Sequence, residues 1–261
     1  MTAEVLGEFL GTMILILMGG GVCAGVSLEQ TYAKGAGWMA ITAGWAFAVV
    51  CGVAVSQFAG GPGSLNPAGT IAGVIGGSVD IVAALVLITA QLAGAFCGAC
   101  LVWLAYLPHW KPTQDQGTKL GIFCTGPAIP NTTANLLSEA IGTFALILIA
   151  TAITASAEGA AIAPLVGIVV WSIGLSLGAT TGYAINPARD LGPRLAHALL
   201  PIPGKGDSNW GYAWIPIVGP VLGAVVAAIL VQAIAAEQPS ADPQQTAAAT
   251  VPLLPTDNTT G

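Results

Sequence analysis

The apolar residues of this chain fall in long unbroken runs, near 4–26, 36–58, 81–106, 133–156, 160–180 and 211–234. A bilayer core of about 30 Å needs roughly 20 apolar residues per helix, so each run predicts a transmembrane helix. The first and fourth runs enclose an acid, Glu8 and Glu139, and the other four hold no charged side chain. Two shorter runs break the scheme. "PAGTIAGVIGGSV" (67–79) and "PARDLGPRLAHALL" (187–200) are 13 and 14 residues long. At 1.5 Å per residue they would reach only about 20 Å, too little to cross. Each follows a Gly-rich loop and opens with Asn-Pro, Asn suiting the cap of a helix and Pro its first turn. They are expected to be half-membrane re-entrant helices.

The pattern also repeats. "GEFLGTMILIL" (7–17) matches "SEAIGTFALIL" (138–148), and "SLNPAGT" (64–70) matches "AINPARD" (184–190), so Glu8 aligns with Glu139 and Asn66 with Asn186. Each half reads span with Glu, span, half-helix, span. An odd number of spans turns the second copy upside down, giving an inverted repeat of the kind found in membrane transport folds. The expected organisation is a first repeat over 1–106, a connecting loop over 107–132, a second repeat over 133–234 and a disordered tail over 235–261.

Composition agrees. Of 261 residues, 55% are hydrophobic and 7% charged, against about 25% charged in soluble domains, and the mean hydropathy is +0.81. An all-α, multi-pass membrane protein follows. No basic patch suggests nucleic acid. The apolar run at the N-terminus lacks a preceding positive segment, so a retained span is expected rather than a signal peptide. The five cysteines (Cys23, Cys51, Cys97, Cys100, Cys124) read as small apolar packing. No Ser–His or Asp–Asp pairing and no metal-ligand spacing appears, so neither an enzyme nor a cofactor is expected.

The two half-helices would meet N-terminus to N-terminus near the midplane. Asn66 and Asn186 would direct amide N–H groups at one point, where each helix start adds roughly half a positive charge. A neutral solute with oxygen lone pairs passes such a point, and a cation or proton is repelled.

Paired Asn-Pro-Ala motifs (Asn66, Pro67, Ala68 and Asn186, Pro187, Ala188) with an acid in each half's first span resemble the major intrinsic protein family, over residues 1 to about 234. The family comprises aquaporins and glycerol facilitators. The resemblance implies six spans plus two re-entrant half-helices, homotetramers with one pore per subunit, and a plasma-membrane location. It also implies cytoplasmic termini, although Lys34, Lys111, Lys119 and Lys205 would then all lie outside, against the usual bias. It implies that Arg189 lines an outer selectivity filter with Trp45, Gly174 and Tyr183. Gly174 would widen the pore, and Trp45 and Tyr183 would form aromatic walls for a carbon backbone. Glu8 and Glu139 would support the re-entrant loops. Asp190 would neutralise Arg194, which braces the second half-helix.

This set resembles the glycerol-facilitator branch and implies glycerol, with some water, as the solute. Ser64 stands where the family often has His, Gly69 where it often has Val, and Tyr183 where the best-known glycerol pores have Phe. Water, dihydroxyacetone, urea, peroxide or a small protonated acid therefore stay open as solutes. A coupled secondary transporter is the rival class, but only Glu8 and Glu139 are available to couple an ion. His109 and His197 are expected to be surface or packing residues.

Overall fold

The computed structural model describes residues 2–157 and 159–237. Nine α-helices occur among them, and no strand. Six are long and apolar enough to span a bilayer: α1 (Thr2–Ser27), α2 (Gly37–Phe58), α4 (Ile81–Ala105), α6 (Thr132–Ser156), α7 (Ile162–Ser176, preceded by a 3-10 turn) and α9 (Ile215–Glu237). The short helices are α3 (Pro67–Ile75), α5 (Gln116–Phe123) and α8 (Pro187–Leu199). The protein is a multi-pass, all-α membrane protein with two half-helices.

Local chemistry explains where the short helices begin and end. Asn66 caps α3 by accepting from the Ala68 N–H, and Asn186 caps α8 by accepting from Ala188 and Arg189, with Pro67 and Pro187 in the first turn of each. The first half-helix stops at Ile75, four residues before the end of the apolar run. Gly77 turns with φ +75°, and the Ser78 N–H and hydroxyl both return to the Gly73 carbonyl. At the end of α8 the Lys205 ammonium donates to the carbonyls of His197, Ala198 and Leu200 at 2.6–2.7 Å. A cation there complements the negative end of the helix.

Two expectations from the pattern need correcting. The run 160–180 is helical only over Ile162–Ser176 and then tightens into a 3-10 turn at Gly178–Thr180. Gly178 lies directly under the Tyr183 ring, where any side chain would collide with it. The stretch 107–132 is not merely a loop, because it contains α5. Asp115 caps that helix through the Thr118 N–H, and Ile122 and Phe123 are buried from it. Of the expected tail, Ala235–Glu237 are helical, and 238–261 lie outside the described residues.

Packing is close because small residues line the contacts. A Cβ at Gly94 or Gly98 would strike the Phe9 or Met13 carbonyl between α4 and α1, and one at Gly223 would strike the Ala140 carbonyl between α9 and α6. Such backbone approach is how helices associate where lipid leaves little hydrophobic drive. On one face Gly7 of α1 meets Gly61, and Gln232 of α9 donates to Ile75 at the end of α3. On the other, Glu29 bonds Thr113, Ala128 bonds Thr180, and Lys119 bonds Pro203, tying four connections together.

Candidate functional site

The centre is built on two buried glutamates. Glu8 Oε1 accepts from the Ser64 N–H at 2.9 Å and Oε2 from the Leu65 N–H at 2.7 Å. Glu139 repeats the arrangement with Ala184 at 2.9 Å and Ile185 at 2.8 Å. Ser56 and Gln91 add side-chain donors to Glu8, and Thr181 adds one to Glu139. Backbone N–H groups at membrane depth must be satisfied by protein, and a carboxylate offers only acceptors. The match holds two loops in an unusual shape. Leu65 and Ile185 sit at φ +53° and +43°, conformations that bulky residues avoid unless their surroundings impose them.

That twist lets the half-helix starts interlock. Asn66 Nδ2 donates to the Ile185 carbonyl at 2.9 Å, and Asn186 Nδ2 donates to the Leu65 carbonyl at 2.8 Å. Both Asn-Pro-Ala starts thus meet at one place, each fixing the residue before the other. Each amide keeps a second N–H.

Toward the face that carries the lysines, Arg189, Trp45 and Tyr183 converge. The Arg189 guanidinium carbon lies 3.9 Å from the centre of the Trp45 ring, and Nη1 donates to the Phe123 carbonyl at 3.3 Å. Trp45 is anchored by its Nε1, 3.4 Å from Cys23 Sγ, and fits because Gly19 leaves its ring room. Tyr183 is held edge-on by Trp38, with ring centres 5.8 Å apart. Trp38 in turn donates to the Gly174 carbonyl at 3.0 Å.

Two cavities meet at this neck. The one on the lysine-bearing side, labelled outer for its position relative to the neck, has about 230 Å³ and is lined by Cys23, Trp38, Thr118 and Thr125 among others. An inner one of about 250 Å³ is lined by Val49, Ser64, Asn66, Leu146 and Asn186 among others. Trp45, Tyr183 and Arg189 belong to both. Gly174 belongs to neither. A Cβ there would lie 2.9 Å from Tyr183 Cζ and 2.9 Å from Thr42 Cγ2. The space that Gly174 leaves is filled by the tyrosine ring, so its effect on the bore is indirect.

Asp190 and Arg194 form a closed cluster beside the neck. Arg194 is fully buried, bonds Asp190 through Nε at 2.8 Å, and donates to the carbonyls of Thr125, Ser208 and Asn209. Asp190 Oδ2 accepts from the N–H and hydroxyl of Thr125, each at 2.7 Å. The pair therefore ties α8 to two connections on the lysine-bearing face. His197 is buried against Phe123 and bonds Ser208, and His109 bonds the Glu29 carbonyl near the surface. Sequence reasoning missed Gly19, Cys23 and the Phe123 carbonyl. The carbonyl has no residue-type signature, and Gly19 is hidden among three consecutive glycines.

A six-span bundle in which two half-helices meet beside a cavity that joins a second one through a neck has the architecture of a membrane channel. Residues 1–231 match the family described as Major intrinsic protein, and the chain belongs to that family. It is 52% identical over 228 residues to glycerol uptake facilitator protein 3 of Lactiplantibacillus plantarum, covering 87% of this chain and 95% of that one. It is 54% identical over 221 residues to the glycerol uptake facilitator protein of Bacillus subtilis, covering 83% of this chain and 79% of that one. The X-ray structure of the aquaglyceroporin from Plasmodium falciparum superposes with a TM-score of 0.74 at 28% identity, covering 87% of this chain and 94% of that one.

Proposed function

We propose that the protein is a passive channel for small neutral solutes, carrying glycerol with some water and excluding protons and ions. The observation that carries this reading is the neck shared by both cavities, walled by Trp45, Tyr183 and Arg189, with the guanidinium seated on the Trp45 ring. Trp45 and Tyr183 offer apolar surface to a carbon backbone. Arg189 uses one N–H on Phe123 and has others to donate to solute hydroxyls. Glycerol has a carbon face and a hydroxyl face and so matches both kinds of lining. Two relatives at about half identity named as glycerol uptake facilitators support the same solute.

In this reading Trp45, Tyr183 and Arg189 form the outer filter, and Gly174 sets the seat of the tyrosine ring. Asn66 and Asn186 form the central constriction, where amide donors and two helix starts oppose a cation. No chemical step occurs. The protein sits in the plasma membrane with cytoplasmic termini and assembles as a homotetramer, so Arg189 faces the outside. Radiolabelled glycerol uptake into proteoliposomes tests passive transport. Uptake that equilibrates without any ion gradient supports it, and accumulation that requires a gradient refutes it.

A further inference from the structure

Ser64 and Gly69 flank Asn66 on the inner side of the paired asparagines, and both line the inner cavity. The Thr70 hydroxyl donates to the Asn66 carbonyl at 3.2 Å and accepts from Gln91 Nε2 at 2.9 Å. Ser64 Oγ lies 3.2 Å from Thr70 Oγ1 and 3.3 Å from the Asn66 carbonyl. Either hydroxyl can donate in the Ser64–Thr70 contact, and Ser64 can also give its single hydrogen to the Asn66 carbonyl. In either arrangement at least one Ser64 lone pair is unused, and Ser64 lines the cavity. An acceptor then stands beside the free amide hydrogens of Asn66 and Asn186, which are donors.

Gly69 supplies room. A Cβ at this position would sit 3.2 Å from Ser64 Oγ and 3.9 Å from Ile147 Cδ1, so any side chain would close over the serine and narrow the gap to α6. With glycine there, the inner cavity continues past Gly69, Ile147, Ala150 and Thr154 into a further space of about 490 Å³. Leu146, Ile147 and Val170 give the same cavity apolar lining. The cavity thus combines an acceptor and two donors with hydrocarbon lining and continues to one side past Gly69.

We infer that Ser64 and Gly69 form a second specificity element in the inner half of the pore, where Ser64 Oγ accepts a hydrogen bond from a carbon-bound hydroxyl and Gly69 gives that carbon its place. The ligand class is a linear polyol. A hydroxyl here accepts from an asparagine amide and donates to Ser64 together, while its CH₂ groups lie on Ile147 and Leu146. Water needs neither the wall nor the room. The inference rests on the glycerol reading and concerns what selects the solute after it has passed Arg189.

The test is stopped-flow permeability of reconstituted protein to water, glycerol and the four-carbon polyol erythritol, for the unaltered chain, Ser64→Ala, Gly69→Ala and Gly69→Val. Loss of one hydrogen bond predicts a fall of about fivefold in the glycerol-to-water ratio of Ser64→Ala. Gly69→Val is expected to lower the same ratio and to reduce erythritol more than glycerol. Gly69→Ala shows the smaller version and serves if the valine variant does not assemble. Unchanged ratios in the Ser64 and Gly69 variants overturn this inference alone. So does a parallel loss of water and glycerol in assembled protein, which would mark a general blockage. Absence of any polyol flux through the unaltered protein overturns the glycerol reading and this one together.

Discussion

The guanidinium carbon of Arg189 lies 3.9 Å from the centre of the Trp45 ring, where the outer and inner cavities share Trp45, Tyr183 and Arg189 as lining. The contact seats a buried cation on an aromatic ring, while its Nη1 donates to the Phe123 carbonyl. A cation over an indole gains about 0.5–2 kcal/mol, depending on desolvation. Trp45 therefore works both as an apolar wall and as the seat of the arginine.

Replacing Arg189 by Val removes the charge and the donors together. Glycerol permeability should fall by about tenfold or more, the usual scale for losing hydrogen bonds to a charged group. Cation conductance in planar bilayers should rise from background, because the charge opposing cations is gone. Unchanged glycerol flux would remove Arg189 from the filter.

Gly174→Leu tests the seat of Tyr183. Even a Cβ meets Tyr183 Cζ at 2.9 Å, so a larger side chain displaces the ring into the neck. Glycerol flux should fall more steeply than water flux, because a single water needs less width. Equal losses would indicate a collapsed protein, and circular dichroism with size-exclusion profiles distinguishes that case.

Glu139→Gln leaves at least one of the Ala184 and Ile185 N–H groups facing an amide nitrogen in place of an oxygen. A buried donor without a partner costs about 1–3 kcal/mol, and here it also releases a residue held at positive φ. The apparent melting temperature in detergent should drop clearly. Glu29→Gln serves as control, since the Glu29–Lys34 pair is about half exposed and such pairs contribute about 0–1 kcal/mol.

Asp190→Asn removes the counter-charge of a fully buried arginine. Breaking a buried pair by one partner costs about 3–5 kcal/mol, so assembly or thermal stability should suffer more than in Glu29→Gln. Combining Asp190→Asn with Arg194→Met should be less damaging than the sum of the two single changes, because the double variant leaves no unpaired charge. Additive losses would contradict the clamp.

Much of this arrangement was legible in the chain. Run length distinguished spanning helices from half-helices, and the duplicated Asn-Pro-Ala and glutamate segments pointed to one shared centre. Trp45 is placed beside Arg189 by the family resemblance alone, and its ring does reach Arg189. Two features were not legible. The vacancy at Gly174 reads as width from sequence, and only the fold shows that a tyrosine nine residues later occupies it. The helix Gln116–Phe123 has eight residues, two of them glycine, so it carries little periodicity, and its contribution to the neck is a backbone carbonyl.

The most direct measurement is stopped-flow light scattering on proteoliposomes of the unaltered protein, exposed first to glycerol and then to an impermeant osmolyte. Fast shrinkage is expected in both, with reswelling in glycerol well above that of empty liposomes. Fast water efflux without glycerol reswelling would contradict that expectation, because the neck of Trp45, Tyr183 and Arg189 would then be too narrow for a three-carbon solute.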